Sequence, residues 1–467
     1  MKIVSGKKEI GTKVTLVSGK DSRFVEINGA TELRLGRGDS DSLSRRKIIT
    51  LARKVVTVAK SYRIKDLSVK WSDFRALGAD MSDNELGEHL ASSFLMAGFE
   101  FTTFKTPPKD GFTTVHSIAI LGASKEAEKG IARGIRIGKE VNNCRELSNT
   151  PGGSMTPKIL AKAAKDAVKG TKVSVKVLGE KEMEKLGMGA VLGVGKGSPE
   201  ESQFIVMEYW GEGLPKTRST RSGQEKKPVV LVGKGVTFDT GGLNLKPGDS
   251  MLEMHMDMSG GAAVIHAVAL AARLGVKRNI VGLVPAVENM IGGRSFRPGD
   301  ILKSLSGKTI EVLNTDAEGR VILADALTYA KRYNPAVVVE ASTLTGAALT
   351  ALGQYASAVV SKDETLMQKI RDLGERSGDY VWPFPLWEEY EDMVKGNFGD
   401  VSNIPAQGNT RYAGVIGGGM FLQQFADGYP FAHLDIAPRM TAAPGEHLAK
   451  GAAGAPVRLF LQIVENF

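Results

Sequence analysis

The sequence predicts an α/β protein with two domains, a smaller N-terminal α/β domain and a larger C-terminal α/β/α domain built on a central mixed sheet. Short apolar runs typical of buried strands alternate with segments of helical spacing, which indicates a sheet covered by helices on both faces. A chain of 467 residues is long enough for two cores. Turn-forming residues at 148–153 separate the two halves, so we predict domains of 1–148 and 149–467.

The N-terminal domain shows alternating strands and helices but no group of residues with metal-binding or nucleophilic spacing. Helix 43–62 has apolar residues on one face and basic residues outside it, and helix 83–96 begins with acidic residues. A charged amphipathic helix at about 124–147 is expected to link this domain to the next. The predicted strands are 13–17, 24–27 and 113–121.

The C-terminal domain continues this alternation, and its glycine-rich turns carry charged residues. The apolar run 229–233 predicts a buried strand that leads into a glycine-rich turn at 234–242. A second buried strand is predicted at 310–313, followed by a turn and then by helix 321–331. The other predicted helices are 157–169, 181–186, 262–274 and 420–426, and the other predicted strands are 172–178, 203–210, 336–340 and 433–436.

The composition, with 42% hydrophobic and 24% charged residues, is ordinary for a soluble globular protein. Cys144 is the only cysteine, which excludes an intrachain disulfide and favours a reducing, cytoplasmic location. The first residues lack the apolar core of a signal peptide. Charged side chains interrupt the longest apolar run, at 262–276, so we expect no membrane span.

The net charge of +9 permits an interaction with DNA but does not favour one. Much of the excess lies in dispersed lysines of the first third of the chain. The rest includes the loop 216–227, which is more simply interpreted as a solvated connection. We therefore keep DNA binding as an alternative role.

Four carboxylates, Asp239, Asp257, Asp316 and Glu318, follow predicted strands or precede predicted helices. In an α/β sheet such turns gather at the carboxyl ends of the strands, where ligands bind. Any one of these residues alone is better interpreted as a helix cap. Together they would repel one another, because like charges at short range raise each other's pKa. The set therefore predicts a site for one or two divalent cations.

The residue types restrict the chemistry of this site without identifying the metal. A carboxylate-dominated site favours Mg, Mn or a two-zinc cluster over a soft tetrahedral site, and the six histidines have no ligand spacing. The chain has no phosphate-binding P-loop and no Gly-x-Ser-x-Gly motif. Lys234, Lys246 and Arg320 accompany the carboxylates, where they could neutralise them or stabilise an oxyanion.

The segment 314–320, Asn-Thr-Asp-Ala-Glu-Gly-Arg, resembles the signature of the leucyl aminopeptidase family, the M17 metallopeptidases. The block 232–242, with Lys246 and Asp257, matches that family in residue type and spacing. The resemblance covers the chain from about 145 onward, whereas the first 140 residues show only a compatible architecture. It implies a macro-domain-like N-terminal domain and a C-terminal domain that releases N-terminal residues, leucine and other apolar ones foremost, from short peptides.

The resemblance also implies a cofactor and a role for each matching residue. Two divalent ions, Mn or Zn, would share the site and activate a bridging water. One ion would be held by Lys234, Asp239, Asp257 and Glu318, and the other by Asp239, Asp316 and Glu318. Lys246 would polarise the scissile carbonyl, and Arg320 would hold a bicarbonate ion that acts as the general base.

The resemblance further implies a substrate pocket and a homohexamer of two-domain subunits. The matching substrate-binding positions are Met254, Asn314, Thr343, Leu344 and Gly346. Two other functions remain open, a different two-metal hydrolase such as a phosphoesterase and an additional DNA-binding or regulatory role. Activity on a leucine anilide against a phosphate ester would separate the first from a peptidase, and a gel shift on duplex DNA would test the second.

Overall fold

The computed structural model describes residues 1–27, 30–78, 80–213, 227–406 and 412–467. They form two compact units, Met1–Asn142 with Ala442–Lys450, and Asn143–Thr441 with Gly451–Phe467. Of the loop predicted at 216–227, residues 216–226 lie outside the described ranges.

The N-terminal unit is a sheet with helices, as predicted. Its strands are β1 (Lys2–Gly6), β2 (Thr12–Val17), β3 (Arg23–Ile27), β4 (Ala30–Gly36), β5 (Asp66–Lys70) and β6 (Ser117–Leu121). Its helices are α1 (Arg45–Ser61), α2 (Trp71–Leu77) and α3 (Asp83–Gly98), and α4 (Lys125–Asn149) follows β6. In its described residues the strand order is β1-β6-β5-β2-β4-β3, and all neighbours are parallel except β3 and β4.

Local sequence explains where the helices of this unit begin. α1 buries the apolar face predicted from its spacing, which includes Ile48, Leu51 and Val55. α3 begins after Ser82, whose hydroxyl accepts a hydrogen bond from the backbone of Glu85 while the Glu85 carboxylate accepts one from the backbone of Ser82. The helices predicted at 43–62 and 83–96 are confirmed to within two residues at each end.

The C-terminal unit contains a larger sheet, a small second sheet and covering helices. Its strands are β7 (Ser174–Leu178), β8 (Gln203–Trp210), β9 (Val229–Gly233), β10 (Gly235–Asp239), β11 (Asn279–Asn289), β12 (Ile301–Lys303), β13 (Thr309–Glu311), β14 (Val337–Ser342), β15 (Ser357–Val360), β16 (Val381–Phe384), β17 (Val401–Ser402) and β18 (Phe431–Asp435). Its helices are α5 (Pro157–Ala167), α6 (Glu180–Leu186), α7 (Gly189–Gly195), α8 (Gly248–Met251), α9 (Ser259–Leu274), α10 (Glu318–Ala330), α11 (Gly346–Leu352), α12 (Glu364–Ser377), α13 (Gly414–Gln423) and α14 (Val457–Asn466).

The larger sheet is mixed, as predicted. Its described strands follow the order β16-β15-β18-β14-β9-β11-β8-β7, and β10 pairs with β11. The central strands β18, β14, β9 and β11 are mutually parallel, whereas β8 pairs antiparallel with β11 and β15 pairs antiparallel with β18. Every residue of these four central strands is buried, because helices cover both faces of a parallel sheet.

The glycine-rich turn predicted at 234–242 is wrong in its first half. Residues Gly235–Asp239 form β10, which continues along β11 beyond the stretch that pairs with β9. Gly233 and Gly235 allow close packing of the backbone. A Cβ at Gly233 would lie 2.4 Å from the carbonyl oxygen of Gly260, and a Cβ at Gly235 would lie 2.6 Å from that of Pro285. Lys234 therefore lies between two strands that both pair with β11.

The second correction concerns the strand predicted at 310–313. It is the short β13, and it belongs to the separate sheet β12-β13-β17, not to the larger sheet. The helix predicted from 321 begins at Glu318, because a carboxylate in the first turn interacts favourably with the helix dipole. The helix predicted at 420–426 also begins earlier, at Gly414, and so includes the glycine-rich run before it.

No helix in the described ranges is both long enough and apolar enough to cross a lipid bilayer.

Candidate metal centre

The predicted site residues meet where β10 and β14 end and where α9 and α10 begin. Asp239 is the last residue of β10, and Lys234 lies immediately before that strand. Asp257 follows the short 3-10 helix Met254–Met256 and precedes α9. Asp316 lies in the turn after β13, and Glu318 is the first residue of α10. Two sheets and two helix N-termini therefore supply the site.

Lys234 lies at the centre of one half of this cluster. Its Nζ atom is 2.7 Å from Asp257 Oδ2 and 2.8 Å from Glu318 Oε1, and it donates to the carbonyl oxygen of Thr343 at 3.2 Å. Burial disfavours the ammonium, but the attraction of Asp257, Glu318 and Asp239 outweighs that effect and raises the pKa of Lys234. In the metal-free protein Lys234 is therefore a cation that neutralises the carboxylates.

Gly319 makes this approach possible. A Cβ at that position would lie 2.7 Å from Lys234 Nζ and from Lys234 Cε. The lysine side chain thus passes directly over the first turn of α10, and a larger residue between Glu318 and Arg320 would displace it.

Lys246 neutralises the other half of the cluster. Its Nζ atom is 2.9 Å from Asp239 Oδ2 and 2.5 Å from Asp316 Oδ1. Burial works against this ammonium too, but the surrounding carboxylates, led by Asp239, raise the pKa of Lys246. Its side chain is 14% exposed, so Lys246 faces the opening of the site while Lys234 is enclosed.

Three carboxylate oxygens of the cluster contact lysine ammonium groups and no backbone donor. Among the described residues, Asp257 Oδ2 and Glu318 Oε1 lie 2.7 and 2.8 Å from Lys234 Nζ, and Asp316 Oδ1 lies 2.5 Å from Lys246 Nζ; no backbone N–H donates to these buried atoms. Burial, reinforced by the neighbouring Asp239 carboxylate, raises the pKa of Glu318 to about 8. Burial likewise raises the pKa of Asp257 to about 6, although Lys234 opposes the shift.

These atoms fit a divalent cation. One carboxylate oxygen each from Asp239, Asp316 and Glu318 lie within 4.8 Å of one another. Four carboxylates face only two ammonium groups, so the lysines do not neutralise all of the negative charge. A dication that enters this cluster would be attracted by the remaining charge. An oxygen-rich donor set with one nitrogen suits hard or borderline ions such as Mn²⁺ and Zn²⁺.

Asn289 and Thr315 position the carboxylates. Asn289 Nδ2 donates to Asp239 Oδ1 at 2.8 Å and to the carbonyl oxygen of Thr315 at 3.0 Å. Thr315 Oγ1 in turn donates to the carbonyl oxygen of Gly241 at 2.6 Å. No charge pattern or motif spacing in the sequence identifies Asn289 as a site residue; its role follows from the pairing of β11 with β10, which sets Asn289 opposite Asp239.

Arg320 lies two residues after Glu318, in the first turn of α10, and is 7% exposed. Its Nη1 donates to the carbonyl oxygen of Asn403 at 2.7 Å, whereas its Nε has no hydrogen-bond acceptor among the described residues. Burial lowers the pKa of Arg320 to about 10, although the carboxylates of Glu318 and Asp435 oppose the shift. A buried guanidinium with an unused donor is suited to hold a small anion.

The predicted substrate-binding residues divide into two groups. Thr343 and Asn314 hold site residues in place, because Thr343 Oγ1 donates to Asp257 Oδ1 at 2.6 Å and Asn314 Oδ1 accepts from the backbone N–H of Asp316 at 2.7 Å. Met254 and Leu344 are half-buried side chains on the segments that carry Asp257 and Thr343, and Gly346 begins α11.

Asp435, at the end of β18, fixes the segment that carries Leu344. It accepts hydrogen bonds from the backbone N–H of Leu344 at 3.2 Å and from the hydroxyl of Thr345 at 2.6 Å. Asp435 lies within the strand predicted at 433–436, but the sequence pattern does not predict its role. His255 is half-buried, and burial lowers its pKa; its side chain is outside the carboxylate group that could hold a metal.

Several known proteins are similar to this chain. Residues 142–461 match the model of the cytosol aminopeptidase family, catalytic domain. A probable cytosol aminopeptidase of Azoarcus sp. (strain BH72) is 47% identical over 73% of this chain, and the alignment spans 65% of that relative's length. A probable cytosol aminopeptidase of Chlorobaculum tepidum is 39% identical over 98% of this chain and 89% of its own.

A solved structure resembles the whole chain. The bottromycin maturation enzyme BotP, in complex with Mn, is 27% identical with a TM-score of 0.84 over 99% of both chains. Because the family model matches well over half of the 467 residues, the chain belongs to the cytosol aminopeptidase family of metallopeptidases.

Proposed function

We propose that this protein is a metal-dependent leucyl aminopeptidase that hydrolyses the first peptide bond of short peptides, with leucine and other apolar first residues preferred. The observation that carries the proposal is the cluster of four carboxylates, Asp239, Asp257, Asp316 and Glu318, which faces only two ammonium groups, those of Lys234 and Lys246. Such a cluster is unfavourable in an empty protein and favourable around cations.

Two divalent ions, Mn or Zn, would be held by the residues of this cluster. We assign Lys234, Asp239, Asp257 and Glu318 to one ion, and Asp239, Asp316 and Glu318 to the other. When bound, the pair would supply a Lewis acid and a water of lowered pKa. Lys234 would bind as a neutral amine, and the field of a nearby dication favours loss of its proton.

Lys246 and Arg320 are proposed to act on the substrate side of the site. Lys246 is a cation at the opening and would stabilise the oxyanion that forms from the scissile carbonyl. Arg320 would hold a bicarbonate ion as general base, and its buried Nε without an acceptor supports this role.

The first side chain of the substrate is proposed to contact Met254, Thr343, Leu344 and Gly346, with Asn314 positioning the loop beside it. The half-buried Met254 and Leu344 offer apolar surface, which favours leucine. A free α-amine would be bound in the same cluster as the carboxylates, which accounts for a restriction to N-terminal residues.

The proposal is tested by metal-reconstituted kinetics on matched substrates. Leucine p-nitroanilide, its N-acetylated form and a p-nitrophenyl phosphate ester would be assayed with added Mn, using Glu318→Gln and the surface control Glu184→Gln. We expect hydrolysis of the free anilide alone, lost in Glu318→Gln and kept in Glu184→Gln. Hydrolysis of the ester alone would indicate a different two-metal hydrolase, and cleavage of the blocked anilide would contradict amine recognition.

The family membership also motivates proposals about the assembly. We propose a cytoplasmic homohexamer whose peptidase domain begins near residue 149, and sedimentation equilibrium of the intact chain would test the hexamer. DNA binding remains the less favoured additional role. A gel shift that persists in Glu318→Gln, where peptidase activity is lost, would support it as a separate function.

A further inference from the structure

The N-terminal unit has a basic crevice at the carboxyl edge of its sheet. The loop after β2, the loop after β4 and the first half of α1 enclose a cavity of about 350 Å³. Its lining includes five cations, namely Lys20, Arg37, Arg46, Lys47 and Lys54. We found no role for this basic crevice in the proposed peptidase chemistry.

The basic crevice lies where ligands bind in open α/β sheets. β2 and β4 are neighbouring parallel strands. After β2 the chain turns toward the edge strand β3, whereas after β4 it passes through α1 to β5 on the other side of β2. Connections that leave adjacent strands in opposite directions open a gap above the strand ends, and cofactors of such sheets are held in that gap.

Three cations of the basic crevice, Lys20, Lys47 and Lys54, form no ion pair with a carboxylate of the described residues. Lys54 Nζ is half-buried and donates to the carbonyl oxygens of Gly36 at 2.7 Å and Lys20 at 3.2 Å. In the described part of the chain, no carboxylate lies within ion-pair distance of Lys20, Lys47 or Lys54. Burial lowers the pKa of Lys54, which is the cost of an ammonium that lacks an anionic partner.

The acidic residues nearby point outward. Arg37 pairs with Asp41 at 3.4 Å, and the Asp41 side chain is 99% exposed. Asp39, also exposed, accepts a hydrogen bond from Ser18 at 3.1 Å. Asp21 is exposed as well and only opposes the lowering of the Lys54 pKa. These carboxylates reduce the positive potential at the opening of the basic crevice without neutralising Lys54.

The floor of the basic crevice is apolar. Leu43 and Leu51 line it and are each 5% exposed. An apolar floor under a ring of cations suits a molecule with both a phosphate group and a less polar part, and a cavity of this volume suits a small molecule. A long nucleic acid would instead require an extended basic stripe.

We propose that the basic crevice binds a small molecule that carries phosphate groups and is about the size of a nucleoside diphosphate. Its phosphates would contact Lys20, Lys47 and Lys54, and its less polar part would lie on Leu43 and Leu51. This proposal does not depend on the peptidase activity, because no residue of the crevice belongs to the metal centre.

Isothermal titration of the full chain with ADP and with inorganic pyrophosphate tests the proposal. The protein would first be dialysed against a chelator, so that phosphates cannot bind through metal ions in the other unit. We expect saturable binding of ADP that weakens about tenfold or more in Lys47→Gln and in Lys54→Gln, as loss of a charge-assisted contact predicts. Binding of pyrophosphate would show that the phosphates alone are recognised, and tighter binding of ADP would show that the leucine floor contributes.

The matched control is Lys7→Gln, which removes an exposed lysine after β1 at the far side of the same sheet. It should bind ADP as the unchanged protein does. Lys54 also donates hydrogen bonds to two loop carbonyl groups, so its substitution could alter the fold. Lys47 is exposed, so Lys47→Gln tests phosphate binding without that complication. Absence of saturable binding by either probe, equal binding by Lys47→Gln and Lys7→Gln, or binding of duplex DNA alone would overturn the proposal.

Discussion

Buried carboxylates in two regions of the C-terminal unit have different surroundings. Far from the metal centre, Asp379 accepts hydrogen bonds from the side chain of Arg458 and from the backbone N–H groups of Arg458 and Leu459. Asp325 accepts three backbone hydrogen bonds, from Ala190 and Val191 at 3.0 Å and from Leu305 at 2.7 Å. Both carboxylates are fully provided with donors.

At the metal centre lysine ammonium groups take the place of fixed backbone donors. Among the described residues, one buried oxygen each of Asp257, Asp316 and Glu318 has a lysine Nζ atom within 2.8 Å and no backbone N–H donor. The difference teaches that burial alone does not distinguish a structural carboxylate from a ligand. A structural carboxylate is surrounded by fixed N–H groups, whereas a ligand directs lone pairs at a lysine ammonium whose positive charge a metal ion can replace.

The largest expected effect comes from removing a ligand. Glu318→Gln should lower kcat/KM for leucine p-nitroanilide by roughly 1000-fold or more, because the metal pair would lose an oxygen shared by both ions. The free energy of unfolding of the metal-free protein should be unchanged or higher, since four carboxylates face two ammonium groups. Steady-state kinetics and urea unfolding measure the two quantities. A variant with normal activity, or one that unfolds on purification, would remove the distinction between the two regions.

The opposite pattern is expected at Asp379. Asp379→Ala leaves the buried Arg458 without its partner and should lower the free energy of unfolding by about 3–5 kcal/mol. Metal affinity per folded molecule should be unchanged, as measured by titration at a temperature where the variant is folded. Loss of metal binding without loss of stability would show that this region is not purely structural.

Within the site, Lys246 separates an effect on catalysis from an effect on metal binding. Lys246→Met should lower kcat by about 100-fold, as removal of an oxyanion stabiliser does, while the metal content stays at the level of the unchanged protein. Metal analysis and kinetics on the same preparation check this, and Lys181→Met, at an exposed position, is the control. Loss of metal in Lys246→Met would instead make this lysine part of the binding cluster.

The smallest effect is expected for the residues that only position a ligand. Asn289→Ala removes the donor to Asp239 and should weaken metal affinity by about 10–100-fold. Saturating Mn should restore most of the activity, because the ligands themselves remain. Failure of Mn to restore activity would mean that Asn289 acts on the substrate as well.

The sequence predicts the cluster because four carboxylates at the ends of strands and helices would repel one another unless cations lay among them. It did not predict Asn289 and Asn403, because an amide or a backbone carbonyl carries no charge pattern and acts only through strand pairing. The fold class was confirmed. The sequence does not predict β10, because a glycine that allows close packing cannot be distinguished by sequence from a glycine in a turn. The sheet to which β13 belongs is not predicted either, because a short apolar run does not show which strands it pairs with.

The most direct test is to dialyse the protein against a chelator, reconstitute it with Mn or Zn, and determine metal content, activity and the anomalous diffraction of soaked crystals. We predict no turnover in chelator, recovery of turnover with about two ions per chain, and anomalous peaks between Asp239 and Glu318. Full turnover in chelator, with that space empty in the soaked crystals, would contradict the account.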